Sequence, residues 1–438
     1  MTTDTDRLLA RIQDKRDELV ALTRALVRVP TVNPPGDAYE ACARLLGERL
    51  SARGFAVEYP RAHGAPGDRD SHPRINMVAR REGTASGPGV HFNGHIDVVV
   101  PGAGWTVDPW EGAVRDGRVY GRGTCDMKGG IAASVIAVES ILDEGIDFPG
   151  ALEISGTVDE ESGGYAGVGW LAQRGYFSPP RVHHVIIPEP LGVDRICTGH
   201  RGVWWAEVET FGRIAHGSMP FLGDSAIDHM AAFVGALERD LQPRLRARCT
   251  CQPVEPPEAR RSTLNLNSIH GGQSEPPPSA DGKTRDFLAQ LPSPVVADSC
   301  RAVLDRRYLV EEDPAEVRGE IEAILQGLAE QRPGFLYAVR EVMAFEPTHT
   351  PEGAPVVEAT RAAIRRVLGK EAALIASPGT YDQKHIARSG NLRDCIAYGP
   401  GVLDLAHQPD EWVGIDALVQ SAQVMALAAL QLLHARER

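Results

Sequence analysis

Residues 89–97 read Gly89-Val90-His91-Phe92-Asn93-Gly94-His95-Ile96-Asp97. The run around Val90 and Phe92 predicts a short buried strand, and the polar residues after it place His95 at the strand's end. A histidine there can aim its imidazole into a cleft. A carboxylate two residues on lies on the same side and can fix the ring's tautomer. Taken alone, His95-Ile96-Asp97 is better read as a surface His–Asp pair, so its surroundings decide.

Outward from this stretch the pattern alternates between strand and helix. Strands are predicted over 56–59, 75–79, 151–155 and 185–187, and helices over 128–144 and 167–174. Upstream, Leu8, Ile12, Leu19, Leu22 and Leu26 recur at near-helical spacing until Pro30 and Asn33-Pro34-Pro35-Gly36 stop the helix. A second helix over 39–53 ends at Gly54. This alternation predicts an α/β sheet with crossover connections.

Near residue 196 the character changes. Residues 203–209 alternate as a strand, so one of Trp204 and Trp205 faces in and the other out. A helix over 225–241, strand-like runs over 262–269 and 297–304, and a helix over 314–331 complete a smaller α+β domain inserted into the first. The stretch 271–294, rich in Pro, Gly, Ser and charge, reads as a long surface loop. The α/β pattern returns near 355, and an amphipathic helix starts near 416. The expected division is 1–197 and 346–438 for the larger domain and 198–345 for the smaller.

The length of 438 residues exceeds what one core usually serves, which agrees with two domains. The net charge of −13 argues against nucleic acid as the main partner. Seven cysteines, odd in number, predict mostly reduced thiols and a cytoplasmic protein, and Cys249-Thr250-Cys251 reads as two strand thiols rather than a metal pair. Met1 to Arg7 carries no signal-peptide pattern, and the apolar stretch 424–433, broken by Gln431, is too short to span a bilayer, so no membrane partner is expected.

Four further polar clusters stand at apparent strand ends or loops: Gly121-Arg122-Gly123-Thr124-Cys125-Asp126-Met127-Lys128-Gly129-Gly130, Asp159-Glu160-Glu161-Ser162-Gly163, Pro188-Glu189-Pro190 and Ala406-His407-Gln408-Pro409-Asp410-Glu411. Asp126 alone could be a helix N-cap. Three successive carboxylates after an apolar strand repel one another unless water or a cation neutralises them. Together the clusters supply imidazoles and carboxylates suited to a two-metal hydrolytic site.

This ordered set of motifs resembles the co-catalytic zinc amidohydrolases and peptidases that include aminoacylase, acetylornithine deacetylase, succinyl-diaminopimelate desuccinylase and bacterial glutamate carboxypeptidase. The resemblance spans essentially the whole chain. It implies an α/β, mixed-sheet, phosphorylase/hydrolase-like catalytic domain with an inserted α+β ferredoxin-like lid and dimerisation domain. It implies two divalent ions per chain: zinc, with cobalt or manganese as alternatives. His95 and Glu189 would hold one ion, Glu161 and His407 the other, and Asp126 would bridge them. Glu160 would be the general base and acid, and Asp97 would orient His95. Gly212-Arg213-Ile214-Ala215-His216-Gly217-Ser218 matches the segment whose histidine reaches the active site of the partner subunit in a homodimer.

Arg307 aligns with an arginine expected near the substrate carboxylate, although it reads equally as a solvated strand residue. Thr380 and Tyr381 fall in a substrate-contacting segment, Gly379-Thr380-Tyr381-Asp382-Gln383-Lys384-His385, where Tyr381 either lines the acyl pocket or packs beneath the loop. His385 reads as a helix residue rather than a ligand. Two departures are clear: Gly271-Gly272 is not followed by the usual substrate-contacting Asn, and Tyr381 is extra between Thr380 and Asp382, where the common segment reads Gly-Gly-Thr-Asp. The implied reaction is hydrolysis of the amide of an N-acyl amino acid or similar small N-acyl compound. The alternatives are a di- or carboxypeptidase with the same site and a non-catalytic metal-binding protein.

Overall fold

A computed structural model describes residues 2–272 and 294–435. The sequence's Pro-rich stretch and the position after Gly271-Gly272 therefore lie almost entirely outside the described residues. The chain forms two compact units, one of Met1–Gly199, Thr348–Ser377 and Tyr381–Arg438, the other of His200–Pro347 and Pro378–Thr380. The short Pro378–Thr380 segment joins the second unit, where Arg201 Nε donates to the Pro378 carbonyl at 3.1 Å.

The first unit is built on a nine-stranded mixed sheet. At its centre, strand Ala85–His95 lies parallel to Pro149–Thr157 on one side and to His184–Ile187 on the other. Cys395–Ala397 continues the parallel set beyond His184–Ile187. All the residues from Val90 to His95 are buried, as a strand covered on both faces requires. Three central strands thus end on the same edge, just before Ile96-Asp97, Asp159-Glu160-Glu161 and Glu189. The carboxyl edge of parallel strands is where open α/β sheets place their sites.

Helices Lys128–Asp143, Pro355–Leu368 and Ile415–Leu433 cover the sheet. Two glycines permit the closest approach. A Cβ on Gly94 would meet Ile131 Cγ1 at 2.4 Å, and one on Gly130 would meet the Pro188 carbonyl at 2.0 Å. Lys128, fully buried, donates through Nζ to the carbonyls of Leu26 (3.0 Å) and Val29 (2.8 Å), satisfying the end of helix Arg16–Val27.

Several expectations need correction. The first predicted helix is two, Thr2–Asp14 and Arg16–Val27, broken at Lys15. Ile415–Leu433 is long and apolar enough by length and composition to cross a membrane, unlike the shorter stretch read from the sequence. The helix is nevertheless a core element, with Leu418, Val424, Met425 and Leu432 buried among neighbouring helices. A three-stranded sheet, Trp412–Gly414, Arg118–Tyr120 and Ala113–Arg115, was not anticipated.

The second unit has a four-stranded antiparallel sheet in the order Thr263–Gly271, Ser299–Tyr308, Gly202–Phe211, Leu336–Phe345. Helix Ala226–Ala236 follows the first strand in sequence and Pro314–Gln331 the third, a βαββαβ order of ferredoxin-like type. Phe233, Ile321 and Leu325 pack on the inward residues Ala206, Val208 and Leu304. Trp204 is buried and donates to Glu341 at 2.9 Å, while Trp205 is half-buried. The helix predicted over 225–241 starts at the Ser225 cap, but it widens to a π turn at Leu237–Leu241 before Gln242–Ala247. Pro243 has no N–H to continue the regular ladder.

Candidate metal centre

His95 closes its strand with the ring fully buried. Its Nδ1–H donates to the Asp97 main-chain carbonyl at 2.9 Å, which leaves Nε2 as the open ligand atom, 3.1 Å from Asp126 Oδ1. The Asp97 carboxylate, to which the sequence assigns the orienting role, lies 3.6 Å from Nδ1. It also accepts from the backbone N–H groups of Glu160 (3.2 Å) and Glu161 (3.1 Å) and from Asn33 Nδ2 (2.8 Å). Asp97 thus meets the imidazole through its main-chain carbonyl and the glutamate pair's N–H groups through its carboxylate.

Asp126 sits between two triads of potential ligands. His95, Asp126 and Glu189 place one donor atom each within 4.8 Å of one another, and so do Asp126, Glu161 and His407. His407 Nε2 lies 3.1 Å from Glu161 and 3.4 Å from Asp126 Oδ2. The five sequence-predicted ligands thus converge, with Asp126 common to both groups. His407 has φ of +63°, a left-handed conformation that is strained for a residue with a side chain.

The loop holding Asp126 is set by a residue to which the sequence reading assigned no role. Glu411 is fully buried. Its Oε1 accepts from the backbone N–H groups of Gly123 (3.0 Å), Cys125 (2.8 Å) and Asp126 (3.1 Å), while Arg122 pairs with Oε2. The Trp412–Gly414 strand, antiparallel to Arg118–Tyr120, brings Glu411 to this loop. Burial pushes the Glu411 carboxyl up to about 7 against the pull of Arg122.

Glu160 and Glu161 open a short 3-10 turn. The preceding Asp159 is left-handed at φ +61° and is held by the Tyr39 hydroxyl (2.7 Å) and Arg74 Nε (2.8 Å). Lys384 Nζ is 3.3 Å from Glu160 Oε1. Asp382 accepts from Asn93 Nδ2 at 3.1 Å. His385, in helix Gln383–Arg388, donates through Nε2 to the Gly163 carbonyl at 2.7 Å, a supporting contact rather than a ligand position. Asn33, Tyr39 and Arg74 were not singled out in sequence, Asp382 and Lys384 stood there only within the 379–385 segment with no role of their own, and each reaches the site from a distant segment.

The electrostatics fit divalent cations. Burial first, then the charge of Asp126, pushes the Glu189 carboxyl well above its ordinary value. Burial also raises Glu161, countered by its His407 hydrogen bond. Hydrogen bonds to Asp126 and Glu161 raise the His407 imidazole to about 10. Burial opposes ionisation of Asp126, but hydrogen bonds from His407 and His95 hold its carboxyl below the usual range. Crowded buried carboxylates of this kind are stabilised by a cation between them, and imidazole with carboxylate is a zinc-type donor set.

The remaining predicted residues each belong to one of the two units. His216 is exposed in the second unit, its Nδ1 accepting from Ser218 N at 3.1 Å. Arg307 is half-buried on strand Ser299–Tyr308 and pairs with Asp305 through Nε at 2.7 Å and Nη2 at 3.2 Å. Thr380 is half-buried in the second unit. Tyr381 packs within the first unit's core and donates to Gln383 Oε1 at 2.6 Å.

Residues 91–431 match the model of peptidase family M20/M25/M40. The chain belongs to that family. It is 31% identical over 382 residues to a succinyl-diaminopimelate desuccinylase of Methylobacterium nodulans, covering 84% of this chain and 85% of the relative. Its fold matches human carnosine dipeptidase 1 with a TM-score of 0.74 at 18% identity, over 98% and 99% of the two chains. It also matches the M20 metallo-carboxypeptidase Sso-CP2 of Sulfolobus solfataricus with a TM-score of 0.73 at 19% identity, over 95% and 99%. The M20 chain is a metal-dependent amide hydrolase with a mixed α/β fold.

Proposed function

We propose that this M20 enzyme hydrolyses the amide of an N-acyl amino acid or a similar small N-acyl compound, with the desuccinylase-like relatives supporting an acylated amino acid over a peptide. The observation that carries the reading is the pair of ligand triads sharing Asp126, with Glu160 next to Glu161 on the same turn. His95, Asp126 and Glu189 would hold one ion, and Asp126, Glu161 and His407 the other, zinc being the preferred metal for this donor set. When bound, the two ions supply Lewis acidity at the scissile carbonyl and at the attacking water. Glu160 takes a proton from that water as its oxygen bonds to the carbonyl carbon. The same proton passes to the nitrogen as the C–N bond breaks, giving an amine and a carboxylic acid, whose remaining proton then goes to solvent or to the amine to leave a carboxylate.

Asp97 and Glu411 hold the backbone N–H groups on which Glu160, Glu161 and Asp126 depend. The chain acts as a homodimer in which His216 of one protomer stabilises the oxyanion in its partner's site. Its tautomer supports this role, because an Nδ1 that accepts from Ser218 leaves the neutral ring's proton on Nε2, the donor an oxyanion needs. Exposed Ile214, Met219, Phe221 and Leu222 beside it suit contact with a second copy. Arg307 and Thr380 serve substrate binding. Seven unpaired thiols support a cytoplasmic location.

The test is amine release from N-succinyl, N-acetyl and N-formyl amino acids and from dipeptides, with added zinc or cobalt and again after chelation. Chelator-sensitive turnover of an acylated amino acid is expected. Turnover of dipeptides alone would replace this reading with the peptidase one.

A further inference from the structure

Lys384 is an ammonium placed where burial makes it costly. Its side chain is 2% exposed and its Nζ lies 3.3 Å from Glu160 Oε1. A charge withdrawn from water in this way is tolerated only against well-placed opposite charge. Its segment is fixed from below. Asp382, two residues earlier and 1% exposed, accepts through Oδ2 from Asn93 Nδ2 at 3.1 Å, while its Oδ1 has no hydrogen-bond partner among the described residues. Asn93 Oδ1 in turn accepts from Ser155 Oγ at 2.8 Å. Asn93 belongs to the strand that ends in His95, so a buried polar chain ties the Lys384 segment to the strand carrying a metal ligand.

Glu160 needs such a partner. It sits on a three-residue turn, and its backbone N–H is held by Asp97, but that contact does not fix the side chain's own torsions. A general base has to keep its carboxylate within hydrogen-bond reach of the proton it removes. An ion pair on Oε1 restricts those torsions and leaves the second oxygen to accept the proton.

We infer that Lys384 is a positioning residue for the general base: its buried ion pair holds the Glu160 carboxylate in the orientation that proton transfer requires. The inference rests on the proposed amide-hydrolase reading, in which Glu160 is the base.

The test is a double-mutant cycle on the zinc-reconstituted enzyme with its best acylated amino acid. Lys384→Met is expected to lower kcat about 10²-fold, the scale of a misplaced catalytic group, with KM and two metals per chain unchanged. Lys384→Arg should recover most of the loss. In a Glu160→Gln background Lys384→Met should cost nothing further, because the residue acts through Glu160. A crystal structure of the Lys384→Met enzyme should show the Glu160 carboxylate displaced. Lys384→Gln gives the same comparison if the Met variant fails to fold.

An equal loss in both backgrounds, a rise in KM at constant kcat, or an undisplaced Glu160 overturns the inference. Turnover lost with Glu160→Gln but untouched by Lys384→Met overturns this inference alone. A wild-type enzyme that releases no amine overturns the parent reading, and this one with it.

Discussion

Glu160 and Glu161 are chain neighbours with different surroundings. Glu161 faces His407 and Asp126, whereas Glu160 faces Lys384, and the N–H groups of both rest on the one Asp97 carboxylate. The separation predicts separable losses. Glu160→Gln keeps the side chain's shape and removes the base, so kcat should fall by about 10²–10⁴-fold while metal analysis still finds two ions per chain. Loss of metal along with activity would make Glu160 a ligand instead. Glu411 acts at one remove, through three backbone N–H groups of the Asp126 loop. Glu411→Gln replaces a charged acceptor with a neutral one, and supporting groups of this kind typically contribute 10–100-fold to metal affinity. Chelator competition should show about that loss at both sites, since Asp126 is common to both triads; unchanged affinity would reduce Glu411 to a loop staple.

At the scale of elements, the site depends on how closely helix Lys128–Asp143 lies against the loop that carries Glu189. Gly130 makes that approach possible, because a Cβ would fall 2.0 Å from the Pro188 carbonyl, a backbone atom that cannot swing away. Gly130→Ala should destabilise the protein by about 1–3 kcal/mol, as overpacking does, and should weaken the His95–Asp126–Glu189 triad more than Asp126–Glu161–His407. Metal titration followed by calorimetry separates the two; equal weakening would mean that the helix shifts and not the loop. The sequence was most legible where elements are long and periodic. Helix Pro314–Gln331 and the central strands stand out by their spacing; His95, Glu160-Glu161 and Glu189 stand at or just after strand ends, whereas Asp126 and His407 lie in loops, and the ligand roles came from the family resemblance. It was least legible where pairing is short and distant. Trp412–Gly414 and Arg118–Tyr120 have three residues each, too few for a periodic signal, yet their pairing seats Glu411 against the Asp126 loop. Lys384 is likewise 224 residues from Glu160, and nothing local in Gln383-Lys384-His385 marks it.

At the scale of the whole molecule, polar groups buried in the main sheet tie stability to pH independently of the metal centre. His91, in the central strand and fully buried, is stacked on Phe177 at 4.6 Å between ring centres and shares a 2.7 Å hydrogen bond between Nε2 and Ser155 Oγ. Burial, reinforced by the charges of Arg181 and Arg80, pushes its imidazole down to about 3. In an unfolded chain the same ring titrates near 6.5. Above pH 6.5 both states are neutral here, and the contribution is fully present. Below it the unfolded chain takes up a proton that the folded chain refuses until about pH 3, so stability falls as pH falls across that window. The slope for one group is about 1.4 kcal/mol per pH unit. Replacing His91 with Gln removes the titration while keeping hydrogen-bonding capacity. The variant is expected to be less stable than wild type near neutrality because the ring packing is lost, and to close that gap steadily as pH drops from 6.5 toward 4.5. Urea midpoints at successive pH values, taken on metal-stripped protein so that loss of ligated metal does not add its own acid dependence, give the difference curve. Parallel curves for the two proteins would show that His91 is protonated in the folded state, with the nearby Glu153 carboxylate, 3.8 Å from its Nδ1, outweighing burial.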